Sequence, residues 1–267
     1  MMIDTQILSL FALGVGIGAF GTLIGVGGGF LTVPLLIIVY GFEPRLAVGT
    51  SLALVFFNTF SGSLAYLKQK RVDVKTGLMF TVLTIPGSIL GAYFTSYFSF
   101  NIFKIAFSAL LILASIYLIA KPLKEQGLKT GSYYRRLVDY QGNVYEYSFK
   151  LASGLLLSFG VGFFSSIFGI GGGIIHVPAM ILLLGLPTHI STATSHFILV
   201  FSSLVGSSTH ALLGNVNLDF AILMGLGAVI GAQFGALISR ITKGTIIERL
   251  LGLALIIVAV RFLLQAL

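Results

Sequence analysis

The chain contains no cysteine and no tryptophan among its 267 residues, and only 9% of them are charged. Without cysteine there are no disulfides, no thiolate nucleophiles and no cysteine metal sites. Without tryptophan, Tyr and Phe must supply any belt at a membrane interface. The shortage of charge decides the class. A soluble domain carries about 25% charged residues, whereas 57% of this chain is hydrophobic and its mean hydropathy is +1.04. Such a chain cannot cover a water-facing surface. Its long, nearly charge-free runs predict several helices of about 20 residues that cross a bilayer. The alternating segments of about 10 residues that make a transmembrane β-barrel are not seen. The opening MMIDTQILSL has no positive n-region, so the first apolar run is expected to stay in the mature protein.

Acidic side chains are scarce as well. Asp4, Glu43, Asp73, Glu125, Asp139, Glu146, Asp219 and Glu248 are the only ones, and all fall in loops or near the ends of apolar runs. A cation carrier or a carboxylate proton relay needs acids inside the membrane. Their absence there favours an anionic or neutral substrate. The net charge of +8 resides mainly in connecting loops, where the positive-inside rule places Lys and Arg, and is not read as a nucleic-acid patch.

Glycine, by contrast, is abundant. GVGGGFLTVPLL begins at Gly25, and GIGGGIIHVPAMILL begins at Gly169. A constant shift of 144 residues aligns these two stretches, and also Gly41 with Gly185, Thr50-Ser51 with Thr194-Ser195, Gly62 with Gly206, Gly87 with Gly231 and Gly91 with Gly235. One ungapped offset over most of each half indicates duplication. Residues 1–120 form the first transmembrane repeat and 148–267 the second. Residues 121–147 form a polar linker with a β-hairpin pattern around Gln141-Gly142-Asn143, whose Arg135 and Arg136 are placed to touch lipid phosphates. Each repeat reads as a Gly-interrupted helical hairpin followed by three long helices.

Equivalent loops carry opposite charge. Lys68–Lys75 (KQKRVDVK) is basic where Gly214–Asp219 (GNVNLD) is not; SYFSFN is uncharged where SRITKG carries Arg240 and Lys243. The positive-inside rule then predicts that the two repeats lie in inverted orientation, with the linker cytoplasmic and both termini outside. The expected fold is an all-α polytopic membrane protein of two inverted repeats.

Lipid offers no partner to an exposed backbone group, so a glycine break inside an apolar run implies a cavity or protein burial. Inverted-repeat transporters use broken helices of this kind to bind substrates near the midplane, and the helix N-termini at such breaks suit anions. Gly27, Gly28, Gly29, Gly171, Gly172 and Gly173 are therefore candidate ligand-facing positions. Gly87, Gly91, Gly231 and Gly235 have the small-xxx-small spacing of helix contacts and read as packing residues. The polar candidates for the same site are Thr50, Ser51 and Asn58 in the first repeat, and His176, Thr194, Ser195 and His196 in the second. A histidine here can donate to an anion or carry a proton with it. His210 and Gln233 are weaker candidates, and Arg45 and His189 are equivalent positions suited to attracting anions at the two mouths.

An intramembrane enzyme is the competing class. Ser195 and His196 are adjacent on a helix and so point apart, no HExxH motif occurs, and His176, His196 and His210 make a metal site only if the fold gathers them. An anion channel or an uptake permease remains open beside an exporter.

The paired GxGGGxxxVP motifs, with Gly25, Gly27–Gly29, Val33 and Pro34 matched by Gly169, Gly171–Gly173, Val177 and Pro178, together with the two Thr-Ser pairs, resemble the TauE/SafE sulfite exporter family over almost the whole chain. The resemblance implies a multi-pass permease of the prokaryotic plasma membrane for sulfite, organosulfonates or related small anions, with protons as candidate co-substrates and no cofactor. The linker, long and Tyr-rich, departs from the commoner family pattern.

Overall fold

The computed structural model describes residues 2–97, 99–120 and 131–264. The first half contains α1 (Met2–Ile24), the short α2 (Gly29–Ile38), α3 (Pro44–Lys68), α4 (Val74–Phe94) and α5 (Phe100–Ala120). The second contains α6 (Leu151–Phe168), the short α7 (Gly173–Leu182), α8 (Thr188–Leu212), α9 (Leu218–Ile241) and α10 (Gly244–Leu264). Among the described residues, six helices (α1, α3, α4, α6, α8 and α9) are long and apolar enough to cross a membrane. The fold is all-α and polytopic, with one small β-hairpin.

The helices begin and end where their sequences require. Asp73 caps α4 by accepting the amide of Thr76 (3.2 Å), and Asn217 caps α9 by accepting that of Phe220 (3.1 Å). Pro44 opens α3 at a first-turn position where its missing N–H costs nothing. The short helices α2 and α7 instead start on Gly28 and Gly172, at φ 86° and 77°, a left-handed backbone that a side chain would strain.

The two halves of the chain do not sit side by side. α1 of the first packs along α9 of the second, and α6 of the second packs along α4 of the first. Lipid supplies no hydrophobic drive between helices, so close backbone approach has to do this work. Gly14 and Gly18 of α1 lie on the backbone at Met224 and Ala228, while Gly227, Gly231 and Gly235 lie on Phe11, Val15 and Ala19. In the reciprocal pair, Gly87 and Gly91 meet Phe159 and Phe163, and Gly162 meets Thr84. α3 and α8 form the centre and run antiparallel: the loop after α3 bonds the start of α8, with Asp73 N donating to Thr194 Oγ1 (3.0 Å). The loop after α8 does the same to the start of α3, through Asn217 N and Thr50 Oγ1 (2.9 Å).

The hairpin pairs β1 (Tyr133–Val138) with β2 (Val144–Phe149), placing Tyr133 opposite Phe149 and Val138 opposite Val144. Tyr133, Leu137, Tyr145, Tyr147 and Phe149 turn inward onto Phe80, Met180, Leu184 and Leu186. The hairpin thus covers one end of the bundle. Residues 121–130 of the linker lie outside the described residues. Arg135 does not reach for lipid: its Nε and Nη2 form a two-pronged pair with Asp73, at 2.9 and 2.6 Å. Arg136 pairs with Glu146 at the surface (3.4 Å).

Candidate substrate-binding site

The two glycine loops meet at the centre of the bundle. Gly25–Phe30 and Gly169–Ile174 are all buried. A methyl group added to Gly29 would strike the carbonyl of Gly169, and one added to Gly173 would strike the backbone of Gly25 and Val26. Val55 of α3 lies against both Gly27 and Gly171. Only glycine allows this backbone-to-backbone approach.

The Thr-Ser pairs hold the loops in place. Ser51 Oγ donates to Gly169 O (2.8 Å) and approaches Gly29 O (3.3 Å), so it ties one repeat's helix to the other's loop. Ser195 makes the equivalent contact to Gly25 O (3.4 Å). Thr50 and Thr194 face away from the loops toward the helix ends, where they accept the amides described above. Among the described residues, the amides of Gly28, Gly29 and Phe30, and of Gly172, Gly173 and Ile174, make no backbone hydrogen bond. They are the free donors expected at helix starts.

Asn58 and His196 come together through a residue that the sequence reading passed over. Thr22 Oγ1 donates to Asn58 Oδ1 (2.9 Å) and lies 3.1 Å from His196 Nε2. With its proton on Asn58, Thr22 accepts from the Nε2–H of His196. Tyr66 fixes this arrangement from behind by donating to Thr22 O (2.7 Å) and meeting the His196 ring edge-on. Thr22, Asn58 and His196 are 0% exposed, and Asn58 Nδ2 has no hydrogen-bond partner. A buried amide left without a partner costs about 1–3 kcal/mol, so two free N–H donors here are unusual.

The equivalent positions in the second half carry different chemistry. Across the offset of 144, Thr22 corresponds to Ser166, Asn58 to Ser202, Tyr66 to His210 and His196 to Leu52. His210 Nε2 donates to Ser166 O (3.0 Å), as Tyr66 does to Thr22 O. The amide and the imidazole have no counterparts there. The polar centre is one-sided.

His176 lies elsewhere. Its Nε2 is 3.3 Å from Ser158 Oγ, and its ring stacks on Phe80 at 6.0 Å, beneath the hairpin. It shares no hydrogen bond with Thr22, Asn58 or His196. Gln233 is a strut between α9 and α3, donating to Ser61 O (2.9 Å), and Arg45 donates to Ser96 O (2.6 Å). Ser195 and His196 bond different partners, and among the described residues no three His, Asp or Glu side chains gather as a metal would require. Thr22 and Tyr66 were missed because single hydroxyls in apolar runs carry no motif. The signal that identifies them is the offset itself, which sets Tyr66 against His210 and Thr22 against Ser166.

Comparison with known proteins agrees with this architecture. Residues 10–262 match the family described as sulfite exporter TauE/SafE. The probable membrane transporter protein YunE of Bacillus subtilis is 37% identical over 262 residues, covering 93% of this chain and 94% of that protein. The probable membrane transporter protein ORF9 of a Sinorhizobium species is 29% identical, covering 89% and 85%. A probable membrane transporter protein of Methanocaldococcus jannaschii is 25% identical, covering 86% and 85%. No solved structure matches the chain. The chain is a multi-pass protein of the plasma membrane, and it belongs to the sulfite exporter TauE/SafE family of membrane transporters.

Proposed function

We propose that the chain exports small sulfur-containing anions, sulfite or organosulfonates, and binds them between the two glycine loops near the bilayer midplane. The observation that carries this reading is the buried, unpartnered Asn58 Nδ2 beside His196 and Thr22. Asn58 is a pure donor at that atom and needs an acceptor. The free amides of Gly28–Phe30 and Gly172–Ile174 add donors of the same sign, and the acids of the chain stay out of the centre. An oxyanion or sulfonate offers the acceptors such a site lacks. His196, whose Nδ1 is also without a partner, is the group that takes up a coupled proton. Thr50 and Thr194 hold the frame, Ser51 and Ser195 orient the loops, and His176 tunes the second hairpin from outside the polar centre.

In this reading the two repeats, residues 1–120 and 148–267, lie inverted in the membrane with the linker cytoplasmic. The antiparallel α3 and α8 and the opposite loop charges support it. A flux screen in proteoliposomes tests the function, comparing sulfite, methanesulfonate, taurine-type sulfonates, sulfate and a cation, with and without a pH gradient. Saturable flux of sulfite or a sulfonate that is lost in Asn58→Ala is expected. Equal flux in the variant, or flux of the cation alone, overturns the assignment.

A further inference from the structure

A second polar centre lies under the hairpin, apart from the glycine loops. Arg71 follows α3 in the loop that carries Asp73. Its side chain is 3% exposed, and neither Nε nor Nη1 has a hydrogen-bond partner. Buried N–H donors on a charged group are costly to leave without acceptors. The nearest acid is Asp139 in the hairpin turn, with Oδ2 3.9 Å from Arg71 Nε, which is too long for a hydrogen bond.

Asp139 is not free to come closer. Its Oδ1 accepts the amides of Gln141 (2.9 Å) and Asn143 (3.0 Å). Its Oδ2 accepts Asn143 Nδ2 (3.0 Å) and the hydroxyl of Tyr145 (3.3 Å). The carboxylate closes its own turn, so it balances the charge of Arg71 across 3.9 Å without accepting a hydrogen bond from it. His189, at the start of α8, also has its Nδ1 without a partner. The start of α8 has no side-chain cap.

The position is directional. The amide of Arg71 donates to Tyr66 O (3.2 Å), and the Tyr66 hydroxyl donates to Thr22 O (2.7 Å). One tyrosine therefore separates the guanidinium from the Thr22–Asn58–His196 group, and the hairpin lies on the outer side.

We infer that Arg71 forms a second anion site that holds a small oxyanion under the hairpin, between solvent and the central site. The anion supplies the acceptors that Asp139 withholds. The inference stands on the buried, unpartnered Nε and Nη1 of Arg71 and does not require the central assignment.

Equilibrium binding of radiolabelled sulfate to the full chain in neutral detergent tests it. Wild-type protein should bind saturably, and Arg71→Gln should weaken that binding by about tenfold or more, the loss expected for a charge-assisted pair. Arg71→Lys, which keeps the charge and loses the fork, should fall between them and stands in if the Gln variant does not assemble. Asn58→Ala should retain the Arg71-dependent binding. Displacement of the label by phosphatidylglycerol but not by free phosphate identifies a lipid headgroup as the oxyanion's source, and the reverse identifies a soluble anion. The inference is overturned if wild type binds no sulfate, if Arg71→Gln and Arg71→Lys bind as wild type does, or if Asn58→Ala alone removes all binding. The last result would leave the central site standing without this one.

Discussion

The amide of Asp73 donates to the hydroxyl of Thr194 across 3.0 Å, and every other polar atom of Asp73 is in use as well. The carboxylate caps α4, accepts the Tyr147 hydroxyl (2.6 Å) and takes both prongs of Arg135. One residue joins α4, α8 and the hairpin. Burial alone would raise the Asp73 carboxyl, but the hydrogen bonds from Arg135, Thr76 and Tyr147 outweigh it and hold the group below its ordinary value of 3.8.

Hairpin docking should follow that carboxylate. A group whose folded pKa is depressed adds stability above its unfolded value, and that stability is lost as the pH falls through the folded one. Docking should hold from neutral pH down to about 4 and weaken below 3.8. Asp73→Asn should release the hairpin at neutral pH, since breaking a buried pair costs about 3–5 kcal/mol. Spin-label distances between position 141 and the end of α9 report both effects, and the absence of native cysteine makes the labelling clean.

The reciprocal threonines should matter equally. Thr50→Val and Thr194→Val each remove one acceptor from a buried loop amide, at about 1–2 kcal/mol per site. The two sites share no partners, so the double variant should lose close to the sum. Thermal unfolding in detergent measures this.

Gly62 and Gly206 should behave differently although they are equivalent in the repeat. A methyl group on Gly62 would lie 2.7 Å from the His196 ring and 3.0 Å from Thr22 Cγ2. The same change at Gly206 meets Ser166 Oγ and Leu52. Gly62→Ala should cut substrate flux about tenfold or more, equivalent to roughly 1.4 kcal/mol of lost binding, while Gly206→Ala leaves it within a few-fold. Proteoliposome flux, with insertion verified by size exclusion, separates the two.

His196→Gln should keep downhill anion flux and lose its response to an imposed pH gradient, because Gln retains a donor toward Thr22 but cannot take up a proton. A gradient response that persists in the variant would assign coupling to another group.

Cysteines introduced at positions 70 and 243 should be labelled from the same side of the membrane. Labelling from opposite sides would rule out inverted repeats.

The parts of this fold that repeat themselves were legible before any coordinates. The offset between Gly25 and Gly169, the glycine breaks, and the packing glycines at 87, 91, 231 and 235 all follow local rules of backbone freedom and helix contact. The interleaving of α1 with α9 and α4 with α6 was not legible, because every apolar helix face in such a chain looks alike. Thr22 was hidden for the opposite reason: a lone hydroxyl becomes a site residue only when Asn58 and His196, far along the chain, fold against it. Arg135 looked like a lipid contact because its partner, Asp73, belongs to another loop.

The interleaving also restricts how the molecule can open. Cutting the chain at the linker would not divide it into two bodies that meet along a face, since α1 would have to leave α9, and α4 would have to leave α6. A conformational cycle that rocks one half against the other would break the glycine-lined contacts of α1 with α9 and of α4 with α6. A motion that keeps these contacts moves mixed pairs, each holding a helix from both halves. Parting the glycine loops, which touch across the centre, would then slide such pairs around α3 and α8.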